Sequence, residues 1–471
     1  MPERPLWMLG AQELTHAYRA RELSPVKVLD AILDRAEQIN PTINAIVTFD
    51  RENARATAME SAQRWRTGQA LGPFDGVPLT VKDSIPVKGL PTTWGSRVFA
   101  ENAATEDELP VARLRAQGAV IIGKTNCPEF TLQGYTDNLL FGPTRNPWDT
   151  RLTPGGSSGG AVAAVASGLG PVALATDGGG SIRRPASHTG LVGFKPSTGR
   201  VARTGGLPVI LHDLEVIGPI ARTTADAALL LSAIVRPDPR DRASLSFTQP
   251  LAQTDNQLSP QRILFVPRFG DAPVDPEIAA SVAAVASNLE RLGHAVEEGA
   301  APFELAVLDR IWSIIGPAGL AWLLRSCTDT RDRIGAPLVQ MAEHGSTLSA
   351  TDYVDGLDSI AKLREGLTEF FQRFDMILTP TAAALPWPAQ VTHPDTIDGT
   401  PVGPRGHAVF TSLANAAGIP AISLPCGPSS GGLPIGFQLI AAFGADERLL
   451  QLAAQYEEAH PWADRWPKLL D

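Results

Sequence analysis

The chain has 471 residues, 44% of them hydrophobic and 19% charged, with a formal net charge of −10 at pH 7. That length can bury a sizeable core, in about two or three average domains or in one large α/β unit, and the balance is that of an ordinary soluble protein. An acidic chain without clustered Lys and Arg is a poor match for phosphates, so neither nucleic acid nor an anionic membrane is expected as a partner.

Cys127, Cys327 and Cys426 lie far apart with no C-x-x-C pair, and the eight histidines are scattered. Free thiols are therefore expected, with no metal, no cofactor and no local Ser-His-Asp motif. The opening stretch MPERPLWMLG has no apolar core and is not read as a secretory signal, which leaves a cytoplasmic protein as the expectation. The uncharged run 152–176 is long enough to span a bilayer. Gly, Ser and Pro interrupt it, however, and its apolar residues are mostly Ala and Val, so it reads as a buried helix and strand.

In chain order, residues 10–70 read as helical. Ser24-Pro25 is a cap and first-turn pair, Val28, Leu29, Ile32, Leu33, Ala36 and Ile39 recur at helical spacing, and Asn40-Pro41 is expected to end that helix. A charged surface helix over 50–68 follows. Val77 to Val81 reads as a strand delivering Lys82, then come a helix over 108–117 and a strand from Ala119 to Gly123. This strand, helix, strand rhythm argues for an α/β sheet.

A helix from Ser158 to Ser167 and a strand from Val172 to Thr176 come next, and 236–260 looks like a surface excursion. Beyond it a strand spans Arg262 to Val266, Asp275-Pro276 caps a helix, and 303–372 is mostly helical, with Trp312 and Trp322 expected in the core. A strand from Phe374 to Leu378, a Pro-rich loop over 384–405, a helix near 407–416, strands around 419–425 and 435–440 separated by a Gly431-Gly432 turn, and a helix over 446–459 complete the chain.

The stretch from Thr153 to Arg200 holds two serine-bearing glycine turns, Gly155-Gly156-Ser157-Ser158-Gly159-Gly160 and Gly178-Gly179-Gly180-Ser181. Consecutive amides in such turns can gather on one oxygen, as acyl transfer requires. A serine hydroxyl becomes a nucleophile once a neighbouring base takes its proton, and lysine can be that base where burial keeps it neutral.

The ordered set Val81-Lys82-Asp83, Gly123-Lys124-Thr125-Asn126, Thr153 through Gly160, Asp177-Gly178-Gly179-Gly180-Ser181-Ile182-Arg183 and Gly193-Phe194-Lys195-Pro196 resembles the amidase signature family. Leu378-Thr379-Pro380-Thr381, Gly418-Ile419-Pro420 and Gly436-Phe437-Gln438 continue the likeness, which runs from about 10 to 460 and is least diagnostic over 236–375. The resemblance implies a hydrolase of carbon–nitrogen bonds other than peptide bonds. Its fold would be a large mixed, mostly parallel twisted β-sheet with helices on both faces. A single domain over 1–471 is expected, with N-terminal helices over 1–70, a core over 71–235 and 374–460, and a more variable helical region over 236–373.

By the same resemblance Ser181 is the nucleophile, Ser157 the bridging serine after a cis peptide bond, Lys82 the base, and the amides of Gly178, Gly179, Gly180 and Ser181 the oxyanion hole. Ser158 and Asp177 are expected to hold the turns, and Arg183 to anchor an internal carboxylate. Arg184 stands where the family often has an uncharged residue. It could meet a polar or anionic substrate group, and a structural ion pair is equally open. Gly178, where relatives commonly carry Thr or something larger, would open space beside the oxyanion hole.

The expected partner is a small amide-type substrate, whether carboxamide, anilide, ester or carbamate, with a homodimer left open. The pocket walls are expected from 300–350, 129–136 and 204–213, mainly apolar. Two rival readings remain. The glutaminase subunit of a tRNA-dependent amidotransferase shares the fold, although its characteristic residues are not recognised in 300–375. A catalytically silent binding protein is the other, and the intact Lys82, Ser157 and Ser181 argue against it.

Overall fold

The structure, a computed structural model, describes residues 4–251, 258–327, 330 and 332–469. Its first strands are β1 (Ile46–Phe49), β2 (Pro78–Lys82), β3 (Val120–Thr125), β4 (Val172–Asp177), β5 (Val192–Lys195) and β6 (Val216–Ala221). The later ones are β7 (Arg262–Phe265), β8 (Ala295–Glu298), β9 (Met376–Pro380), β10 (Thr396–Ile397), β11 (Thr400–Pro401), β12 (Ala421–Pro425) and β13 (Gly436–Ala441). Eleven of them form one sheet in the order β1-β3-β2-β4-β6-β5-β12-β13-β9-β7-β8, and β10 and β11 make a small ribbon.

Helices α1 (Ala11–Ala20), α2 (Pro25–Ile43), α3 (Arg51–Thr67), α4 (Leu109–Ala116), α5 (Gly159–Ala166), α6 (Arg183–Thr189) and α7 (Thr224–Ile234) serve the first half. The second half adds α8 (Pro276–Arg291), α9 (Leu305–Leu324), α10 (Ala336–Thr347), α11 (Ala350–Phe370), α12 (Ser412–Ala417) and α13 (Asp446–Ala459).

Strands covered on both faces read as continuous apolar runs rather than alternating ones. In β4 every residue is buried. Ala173 and Ala175 face Ala161, Val162 and Val165 of α5, and Val172 and Leu174 join the core built with Leu230 and Leu231 of α7. Alanine on one side lets α5 lie close to the strand, while larger residues fill the other side. The run 152–176 is thus a buried helix and strand, as its small residues suggest.

The mixed sheet and its helical cover agree with expectation, but the strand directions do not. Six pairings are antiparallel and four are parallel. Parallel neighbours need a long crossover, whereas a short turn forces reversal. The turn containing Gly431-Gly432 is such a reversal, so β12 and β13 run antiparallel in continuous register from Ala421↔Ile440 to Pro425↔Gly436.

Local signals held better. The Ser24 side chain accepts the Val26 amide with Pro25 in the first turn, and Asp275 Oδ1 accepts the Glu277 amide at 2.9 Å. Helix α2 nevertheless runs past Pro41 to Ile43, ending at left-handed Asn44, whose amide donates to the Asn40 carbonyl. Strand β1 lies inside the stretch expected to be helical, and the sequence reading did not find β5, β6, α6 or α7. Part of the expected excursion, 252–257, lies outside the described residues.

Among those residues α9 is the one helix long and apolar enough to cross a membrane. It packs against α10 and α11 and buries Leu308, Ile311, Ile315 and Leu320, as a core helix does.

Strand β1 approaches β3 so closely that a Cβ added at Gly123 would collide with the Thr48 carbonyl oxygen. Gly123→Val should cost about 1–3 kcal/mol of stability by forcing the two strands apart. A shift in the urea unfolding midpoint checks this, and an unchanged midpoint would refute the contact.

Candidate active site

Strands β2, β3 and β4 are parallel neighbours, so their C-terminal ends reach one edge of the sheet together. Lys82 ends β2 and Asp177 ends β4, and both are fully buried. Lys82 Nζ lies 2.7 Å from Ser157 Oγ, 2.9 Å from Thr176 Oγ1 and 3.4 Å from the Thr176 carbonyl oxygen. Burial disfavours its charged form and lowers its pKa to about 8, even though Cys127, Glu215 and Asp177 pull the other way. A lysine so placed can exchange a proton with Ser157 near neutral pH.

The first glycine turn delivers Ser157. Gly155 has φ 84 and the Gly156-Ser157 peptide bond is cis, as the resemblance implies. Gly156 presses on Tyr135, where an added Cβ would collide with backbone. Ser158 ties the two turns together. Its amide donates to the Ser181 carbonyl at 3.1 Å, and its hydroxyl donates to the Thr176 carbonyl at 3.2 Å.

Asp177 organises the second turn. Arg183 donates to it through Nε at 3.0 Å and Nη2 at 2.9 Å, and the amides of Gly180 and Ile182 donate at 2.7 Å and 3.0 Å. Burial opposes the Asp177 charge, but Arg183 and the Asn415 amide outweigh it and hold the carboxyl well below the usual range. Arg183 also reaches Gln438 and Asn415 and is fully buried, so the internal carboxylate it anchors is Asp177. One expectation needs correction. The Gly180 amide is already spent on Asp177 and is not free for an oxyanion, whereas those of Gly178, Gly179 and Ser181 make no hydrogen bond among the described residues.

Ser181 follows this turn, 5% exposed, and faces a cavity of about 430 Å³. Its hydroxyl and that of Ser157 make no hydrogen bond to one another among the described residues. Arg184 reaches the same cavity, donating through Nη1 to the Gly179 carbonyl at 3.0 Å. The space expected beside Gly178 is filled, since the Leu211 side chain stands where an added Cβ would go.

The walls come from the expected segments, including Leu132, Tyr135, Leu211, Pro317 and Met341. Three findings depart from the sequence reading. Trp312 lines the cavity while also packing against the core, Trp322 is 51% exposed, and the segment 392–408 contributes His393, Arg405 and His407. The cavity lining thus combines apolar side chains with two arginines and two histidines. Nothing in the spacing of 392–408 beyond its proline content pointed to such a role.

The Amidase family model matches residues 27–450. The chain belongs to the amidase signature family. It is 36% identical to an acylamidase of Rhodococcus erythropolis over 99% of this chain and 98% of that protein. It is also 36% identical to a glutamyl-tRNA(Gln) amidotransferase subunit of Synechococcus sp. (strain CC9605), over 93% and 94% of the two chains. The solved structure of a bacterial aryl acylamidase of the amidase signature family superposes with a TM-score of 0.91 at 30% identity, covering 98% of each chain. As a member of the family the protein is a hydrolase acting on a carbon–nitrogen bond, so the reading as a silent binding protein falls.

Arg183→Met leaves the buried Asp177 carboxylate without its cation, a change that typically costs about 3–5 kcal/mol. Urea denaturation should show that loss, with Arg183→Lys intermediate because an ammonium lacks the two-pronged donor geometry. Equal stability of wild type and Arg183→Met would contradict the role given to the pair.

Proposed function

We propose that the protein hydrolyses a small amide through an acyl-enzyme on Ser181. The observation that carries this reading is the buried Lys82 amine 2.7 Å from Ser157 Oγ, beside a turn whose Gly178, Gly179 and Ser181 amides make no hydrogen bond among the described residues. Neutral Lys82 takes a proton from Ser157 as Ser157 takes one from Ser181, and the Ser181 oxygen attacks the amide carbon. The amides of Gly178, Gly179 and Ser181 receive the charge that develops on the carbonyl oxygen. The relay then runs backwards to protonate the departing amine, and water cleaves the acyl-serine ester to release the acid.

No cofactor takes part in this scheme. Trp312 of α9 and Met341 of α10 wall the cavity, which supports reading 1–471 as one catalytic domain. In that reading the core over 71–235 and 374–460 supplies the sheet, with every reacting group in 71–235, the helices over 1–70 cover it, and 236–373 shapes the substrate side. A cytoplasmic location belongs to the same reading.

The 36% identity to an amidotransferase component favours a second reading, glutamine hydrolysis within a complex. Glutamine offered with and without candidate partner proteins, beside a panel of alkyl amides, anilides and aryl carbamates, separates the two. Turnover of acyl amides by the isolated chain, without activity on glutamine, supports the stand-alone hydrolase.

Ser181→Ala should abolish turnover, and Ser157→Ala and Lys82→Ala should each lower kcat by about 10²–10⁴-fold, the range for losing a positioned proton carrier. Because Lys82 must be neutral to accept a proton, kcat/KM should rise as pH increases through about 8 and level off above it. A flat profile between about pH 6 and 9 would contradict the assignment of Lys82 as base.

A further inference from the structure

The cavity in front of Ser181 differs in charge from the chain that encloses it. The protein carries a formal −10, yet the cavity is lined by Arg184, Arg405, His393 and His407 and by no Asp or Glu. Arg184 is only 6% exposed. Its one short contact is Nη1 with the Gly179 carbonyl, Thr411 Oγ1 lies further off at 3.4 Å, and Nε is buried without a partner. No Asp or Glu among the described residues makes an ion pair with it. Its surroundings oppose its charge, first through burial and then through Arg405, with Asp177 acting against them.

A second unpartnered group meets Arg184 in the cavity. His407 is 2% exposed and neither ring nitrogen has a hydrogen-bond partner. Both groups converge on Gly134. An added Cβ there would collide with His407 Nε2 and would lie 3.7 Å from Arg184 Nη2. Arg405 sits over the Trp312 ring at 5.0 Å, and that ring in turn lies beside Gly179. A buried guanidinium without a counter-ion is costly, and a bound anion that its donors can grip relieves the cost.

We propose that the substrate carries its own carboxylate, a few bonds from the amide that is cleaved, and that Arg184 and His407, with Arg405 at the rim, receive it. The proposal rests on Ser181 being the reacting residue. Arg184, in the first turn of α6, lines the same cavity as Ser181 and holds the Gly179 carbonyl of the turn that ends in Ser181, so a carboxylate at Arg184 stays close to the attacked carbonyl. Two kinds of compound present this chemistry, a monoamide of a dicarboxylic acid, with the charge on the acyl side, and an N-acyl amino acid, with the charge on the leaving side.

The test compares matched pairs: adipic acid monoamide with hexanamide, and N-hexanoylglycine with N-hexanoylethylamine. Affinities are measured by calorimetry on the Ser181→Ala protein, and kcat/KM on the wild type. At least one carboxylated compound should bind about tenfold more tightly than its neutral partner, the scale of one or two charge-assisted hydrogen bonds. Arg184→Met should cancel that preference, and Arg405→Met, at the rim, should reduce it and serves if Arg184→Met fails to fold. The pair that shows the preference identifies the side that bears the charge.

Equal affinity within both pairs, no binding of any of the four, or a preference that survives both substitutions would overturn the proposal. A binding preference in a protein whose wild type turns over no amide would leave the anion site standing and count against the Ser181 mechanism instead.

Discussion

The contact between Asp177 and Arg183 is the constraint on which the site depends. A carboxylate at the end of a buried strand faces a steep desolvation cost, and here it accepts hydrogen bonds from Arg183, from Asn415 and from the amides of Gly180 and Ile182. Buried pairs of this kind seldom add net stability over apolar residues of the same size. What this pair does is geometric. By binding amides on either side of Ser181, Asp177 fixes the curvature of the turn, and the Gly178, Gly179 and Ser181 amides are left without a partner among the described residues. The Ser158 amide on the Ser181 carbonyl then holds the first turn against the second.

Three buried lysines show why Lys82 is the one suited to proton transfer. Lys195 is lowered to about 7, mainly by burial, and donates to the Pro196 and Ile419 carbonyls at 2.9 Å each. Lys124 is lowered as well, again mainly by burial, and donates to the carbonyls of Asp83 and Pro91 and to Thr92 Oγ1. Those two are held chiefly by carbonyl acceptors, which suits a structural brace. Lys82 instead shares the shortest of its contacts with a serine hydroxyl in the turn beside Ser181. A low pKa alone marks burial, and the partner decides what burial is used for.

How much could be read from the sequence follows the range of the contacts involved. The glycine turns, Lys82 at a strand end and the Ser24 and Asp275 caps are set by neighbours a few residues away, so their signals are local. Ser157 and Ser181 came from motif order, and the structure brings Ser157 to Lys82. The grouping of Arg184, His407 and Arg405 in the cavity was out of reach because these residues share a wall only once the whole sheet is assembled, and 392–408 has no periodicity to betray its place. Gly180 was misjudged for a related reason, since an amide's availability depends on where the Asp177 side chain turns. Strand β1 was hidden by its brevity, and the antiparallel majority follows from returns that leave no mark within any single strand.

In the proposed mechanism Ser181 is acylated during turnover, with Lys82 as the ultimate proton acceptor. This is tested most directly by acid-quenching the enzyme during hydrolysis of an activated acyl ester and mapping the peptides by mass spectrometry. An acyl group should appear on the Ser181 hydroxyl in the wild type, and almost none in Lys82→Ala quenched at the same time. An acyl group on another residue, or wild-type levels of acyl-Ser181 in Lys82→Ala, would contradict it.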